Sequence, residues 1–282
     1  LFRTYRGRMR PLSHYTLGWL PRLTRITARV PGLARIANVV MSVAPLRSLA
    51  FRIIGLDPRR GMPALQSGTF TAWARRRNLL AGNVPASASS DPISEARERD
   101  AAPASSDSAR EREGATASSM SGSTVLNGTR DPGGRPYALV WADSFSQTLD
   151  DTGARAVVDV LEANGFAPIV APDACCGLTW ITTGQLTGAK KHLTSLLSVL
   201  SPFAASGIPI VGVEPSCTAV LRDDLLDLLP EDPRSALVSG ATRTLAEVLS
   251  AVPASARHLP SLEGVEIVAQ PHCHHYSVMG WD

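Results

Sequence analysis

Four cysteines, two of them adjacent, carry most of the chemistry open to this sequence: Cys175, Cys176, Cys217 and Cys273. Thiolates are soft ligands suited to zinc, cuprous ion or iron–sulfur clusters. Neighbouring side chains ordinarily diverge, so a turn presenting Cys175 and Cys176 beside Gly177 implies a backbone bent around a soft metal or cluster, or a strained vicinal disulfide. Two carboxylates, Asp143 and Glu214, are candidate oxygen ligands, and His272-Cys273-His274-His275 is a third polar group. Taken singly, each has a plainer reading. Cys217 reads as a small buried hydrophobe, Asp143 as a turn or helix cap, and Glu214 as a solvent-facing loop residue. The histidine run lacks the paired Cys and His spacing of structural zinc sites.

These residues have to be positioned by elements, and the elements are legible from Tyr137 onward. Short β-branched runs alternate there with longer helical patterns, as in α/β proteins built on a mostly parallel sheet with flanking helices. The pattern predicts strands over 137–142, 167–171, 208–213 and 265–269, and helices over 152–164, 185–206, 218–229 and 242–252. Asp143, the Cys175-Cys176-Gly177 triplet, Glu214 with Cys217, and the histidine run each follow one predicted strand. The carboxyl ends of parallel strands form one rim, so groups scattered over the sequence are expected to meet there.

The rest of the chain differs in kind. Residues 1–80 carry fifteen arginines and one acid, and residues 136–282 carry seven bases against sixteen acids. The first stretch reads as short basic amphipathic helices, a pattern that docks on an acidic protein surface, the acidic 136–282 body included, or on anionic lipid, or that is simply solvated. Residues 81–135, rich in Ala, Ser, Gly and Pro, have too little apolar material to offset the entropy of ordering and read as a disordered linker. The net charge of +3 over 282 residues argues for neither nucleic acid nor membrane as a bulk partner. No apolar run approaches the roughly 20 residues that span a bilayer. Few, unpaired cysteines suit a reducing, cytoplasmic setting. The opening Leu1-Phe2-Arg3, without Met, reads as part of a longer chain.

Three segments together carry a resemblance: Pro172 to Trp180 with its Cys-Cys-Gly, Gly207 to Cys217, and Gln270 to His275. They resemble the cysteine-rich CCG domain of heterodisulfide reductase subunits, of the iron–sulfur subunits of glycolate oxidase and anaerobic glycerol-3-phosphate dehydrogenase, and of FAD-linked oxidases similar to D-lactate dehydrogenase. Trp141 to Phe145 is similar to the opening of that domain, and residues 1–80 to the segment following a ferredoxin-type module. In the family pattern a lone Cys precedes Cys-Cys-Gly and Cys-x-x-Cys. Here Asp143 stands near the first position and Glu214 at the first of the Cys-x-x-Cys, while Cys273 would open a second copy of the motif.

The resemblance implies an iron–sulfur cluster held by Cys175, Cys176 and Cys217, with Asp143 or Glu214 as further ligands and the amides of Gly177 and Leu178 tuning its potential. It also implies an FAD in a domain outside this chain oxidising a 2-hydroxy acid such as D-lactate or glycolate. Electrons would then pass to a quinone or other carrier, with a flavin domain and a ferredoxin-type module as partners and peripheral contact with the inner face of the cytoplasmic membrane. The competing reading is a zinc-binding or metal-free scaffold that docks partner subunits.

Overall fold

The computed structural model describes residues 3–5, 7–54, 57, 59, 63–83 and 129–279. Most of the expected linker, 84–128, lies outside the described residues.

Among the described residues four strands form one parallel sheet: β1 (Tyr137–Trp141), β2 (Ala167–Val170), β3 (Ile210–Gly212) and β4 (Thr242–Arg243), in the order β2-β1-β3-β4. Leu139 faces Ile169 on β2 and Ile210 on β3 across the ladder, and Ile210 in turn faces Thr242. Parallel strands buried on both faces must be apolar throughout, and Ala138 to Trp141 are all essentially inaccessible. Alternation then sorts them. Leu139 and Trp141 join one core layer with Leu193, Leu196 and Leu200, whereas Ala138 and Val140 join the other with Phe70, Val158 and Leu161.

The first layer is covered by the long helix Leu186–Ala205 and the second by Thr152–Ala163 together with Phe70–Arg76. Numbered in chain order, the helices are α1 (Leu12–Arg29), α2 (Leu33–Ser42), α3 (Ala44–Ile54), α4 (Phe70–Arg76), α5 (Ser144–Thr148), α6 (Thr152–Ala163), α7 (Leu178–Thr182), α8 (Leu186–Ala205), α9 (Pro215–Arg222), α10 (Asp224–Leu228), α11 (Pro233–Ala241) and α12 (Leu245–Ser250). Helix α4 starts at Thr69, whose side chain accepts from the Ala72 amide, and it buries Phe70 and Ala74. Just beyond it the Val170 amide donates to the Leu79 carbonyl, and Leu80 forms a parallel bridge to Val170. Residues 70–83, which the sequence divides between helical segment and linker, therefore pack as part of the sheet domain.

Two expected elements are corrected. The strand expected at 265–269 has no regular structure, and Val265, Ile267 and Val268 are 56%, 60% and 93% exposed. A β-branched run becomes a strand only where an edge accepts it, and the free edge of β3 is taken by Thr242–Arg243. The single helix expected over 242–252 accordingly shrinks to α12, which starts at a capping box between Thr244 and Glu247. The helix expected over 218–229 begins earlier, at Pro215, and breaks at Asp223 into α9 and α10.

Among the described residues no single helix is long and apolar enough to cross a membrane; α2 and α3 reach that length and composition only as a pair bent by 101°.

Candidate functional site

The strand order reverses at β1, with β2 on one side and β3 on the other, and ligand sites of open α/β sheets lie at such switch points, outside the carboxyl ends. Three loops meet here. After β1, Asp143 caps α5: one oxygen accepts from the Phe145 and Ser146 amides at 2.7 and 3.3 Å and the other from the Ser146 hydroxyl at 2.5 Å. After β3, Glu214 caps α9, accepting from the Cys217 amide at 2.7 Å and the Ser216 hydroxyl at 2.9 Å, with Pro215 at the first helical position.

After β2 the chain turns through Cys175 and Cys176 into Gly177, which has φ +76° and caps α7. A Cβ there would lie 3.2 to 3.3 Å from His192 and the Ala189 backbone. Both the left-handed conformation and the close approach of α8 select glycine. The turn aims the Gly177 amide at Cys175 Sγ, 3.4 Å away, and the Leu178 amide at the Cys176 sulfur.

The outcome is a sulfur pocket. Cys176 Sγ lies 3.0 Å from Cys217 Sγ, and Cys175, Cys176 and Cys217 are all buried free thiols. Contact with Cys176 and burial push the Cys175 thiol far above the usual range. For Cys176, contact with Cys175 pulls the other way, but contact with Cys217 and burial outweigh it, and the net shift is strongly upward. Cys217 is eased down by Cys176, yet burial and the carboxylates of Asp143 and Glu214 carry it up to about 11. Burial also raises Asp143. Near neutral pH the three sulfurs therefore keep their protons, the reverse of an activated thiolate.

One wall of the pocket comes from α1, part of the basic stretch expected to dock on an acidic surface. The Arg25 guanidinium grips Asp173 with Nε 2.7 and 3.0 Å and Nη2 2.7 Å from the carboxylate, and donates to Ser144 Oγ at 3.0 Å. Its charge also lies beside Cys175. Arg10 donates to the carbonyls of Thr183 and Gly184, and Arg22 covers Trp19 and Trp180 at 5.0 and 6.0 Å. The charge contrast between the two ends of the sequence was the available signal; nothing in it singled out Arg25, Asp173 or Ser144.

The fourth cysteine stays apart. Cys273 is exposed, and among the described residues no hydrogen bond joins it to the other thiols. Its neighbour His272 does reach the site, with Nε2 3.2 Å from Ser216 Oγ and Nδ1 accepting from the His274 amide. Among the described residues no three His, Cys, Asp or Glu side chains are disposed to hold a metal ion. The causes are local. Asp143 and Glu214 spend their oxygens on helix caps, a four-thiolate cluster lacks its fourth sulfur, and two thiolates on one tetrahedral zinc would stand about 3.8 Å apart given metal–sulfur bonds near 2.3 Å, farther than the 3.0 Å seen here.

Comparison with known proteins returns a distant likeness. Over 201 residues the chain is 22% identical to one of the subunits of the anaerobic glycerol-3-phosphate dehydrogenase of Escherichia coli K12, and equally to its counterpart in Escherichia coli O157:H7. The alignment covers 71% of this chain and 38% of each relative, so the chain spans well under half the length of the curated relatives it matches. No family model matches, and no solved structure does.

Proposed function

We propose that this chain is the electron-transfer part of a larger FAD-linked oxidoreductase. A flavin outside it would oxidise a small hydroxylated substrate, a 2-hydroxy acid such as D-lactate or glycolate, and this body would carry the electrons toward a quinone or another carrier. The observation that supports the reading best is the meeting of three buried sulfurs at the switch point of the sheet, drawn from loops after two different strands. Two relatives, each named as part of a dehydrogenase, support a redox role within a complex. Side chains left uncovered on α2 and α3, among them Ile36, Val39, Leu49 and Ile53, are what partner proteins or the inner face of a membrane would cover.

An iron–sulfur cluster is the carrier that the resemblance implies. As arranged, the residues do not fit one: Cys176 and Cys217 would have to part, and a fourth ligand would have to come from beyond the three thiols. The sulfur pocket itself is thus the seat of the proposed function.

Counting electrons tests the reading. The whole protein, purified anaerobically, is titrated with dithionite and back with ferricyanide, beside a variant with Cys175, Cys176 and Cys217 all changed to Ser. Reversible storage of electrons that the variant loses is expected. Equal uptake by both proteins would leave the docking scaffold as the function of this chain.

A further inference from the structure

We infer that Cys176 and Cys217 are a two-electron centre in their own right, a dithiol that closes to a disulfide and reopens in exchange with a dithiol or a reduced flavin. The inference rests on the electron-transfer reading and names the atoms that would hold the charge.

The geometry carries it. A disulfide bond is about 2.05 Å long, so the 3.0 Å between the two sulfurs closes with a shift of about one ångström. The partners are 41 residues apart in sequence, yet each is fixed close to a strand end. Cys176 is held by the Gly177 turn and Cys217 by the first turn of α9, which Glu214 caps. Cys176 also touches Cys175 and faces the Leu178 amide, and a disulfide sulfur can still accept from that amide. The adjacent Cys175 is the natural rival, but a vicinal bond to Cys176 strains the intervening peptide, whereas the bond to Cys217 joins two separate loops.

The chemistry balances without a metal. Reduction breaks the Sγ–Sγ bond and takes two electrons and two protons, leaving two thiols. A dithiol donor supplies both by closing its own disulfide, and a dihydroflavin supplies both by becoming oxidised flavin. Oxidation runs the same exchange backward.

The test uses the whole protein equilibrated with oxidised or with reduced dithiothreitol, quenched in acid, alkylated and read by peptide mass spectrometry, with iron and acid-labile sulfide assayed on the same sample. Oxidising conditions should join the peptides carrying Cys176 and Cys217 and abolish alkylation at both, reducing conditions should restore it, and Cys175→Ser should leave the link intact. Two results would overturn the inference: free alkylation of Cys176 and Cys217 after oxidation, or a link between Cys175 and Cys176 instead. If electron uptake follows iron and sulfide while both thiols stay free, the inference fails and the electron-transfer reading stands. If neither disulfide nor electron uptake is found, both fail. Because the wild-type peptides carry the answer, a variant that misfolds cannot obscure it.

Discussion

Asp143 and Glu214 stand where the resemblance would have sulfur, and each already has a helix to hold. A side-chain cap is worth about 1 kcal/mol when replaced by Ala and only a few tenths when exchanged for another good cap. Asp143→Ala should therefore lower stability by about 1 kcal/mol, read as a shifted urea midpoint at unchanged slope, with Asp143→Asn close to wild type. Cys217 gives a pH signature. Its folded value is raised to about 11 from an ordinary 9.0. Below 9 both folded and unfolded chains keep the proton; between about 9 and about 11 the unfolded chain releases it while the fold does not, so stability falls as pH rises through that window. Urea midpoints measured across it should fall more steeply for wild type than for Cys217→Ser. At this scale the sequence was informative about which residues meet, Cys273 excepted, and it offered Asp143 both as a ligand and as a helix cap, of which the cap is what the structure shows. Cys175, Cys176, Cys217, Asp143 and Glu214 do share one rim, but whether a carboxylate caps a helix or faces an empty pocket depends on which backbone amides lie within hydrogen-bonding reach, and spacing does not encode that.

Among the elements, α1 matters most to the site. The Arg25–Asp173 pair joins it to the loop carrying the paired cysteines, and the two side chains are only 13% and 10% exposed. Arg29, itself 65% exposed, also reaches Asp173 at 3.3 Å, so losing Arg25 leaves the carboxylate a weaker partner and should cost about 2 kcal/mol, between the values for exposed and buried pairs. Arg25→Met should show that loss in denaturant unfolding and hasten alkylation of Cys175, and adding Asp173→Asn should restore most of the stability. If Arg25→Met costs less than about 1 kcal/mol, within the range of exposed pairs, the docking is looser than described. Elements with their own local signal were readable. Helices α6 and α8 start and stop within a residue or two of expectation because an apolar stripe and a following glycine mark them. The run at 265–269 misled because strand propensity says nothing about whether a sheet edge is free, and β4, two residues long, has no pattern to read. Helix α4 was hidden in the basic segment for a similar reason: its burial depends on a strand far along the sequence.

The whole molecule brings a basic helical arm and an acidic sheet domain together over a neutral sulfur pocket, and that neutrality makes its redox behaviour predictable. With both thiols protonated at physiological pH, each two-electron reduction must also consume two protons. For a two-electron couple a tenfold change in equilibrium constant is 29.6 mV, so two protons per event correspond to about 59 mV per pH unit.

The most direct measurement is therefore the midpoint potential of the Cys176–Cys217 couple, followed by quantitative alkylation in dithiothreitol redox buffers from pH 6 to pH 8. A two-electron transition falling by about 59 mV for each pH unit is the predicted result. A one-electron transition indifferent to pH, or thiols that never change state across the accessible range, would contradict it.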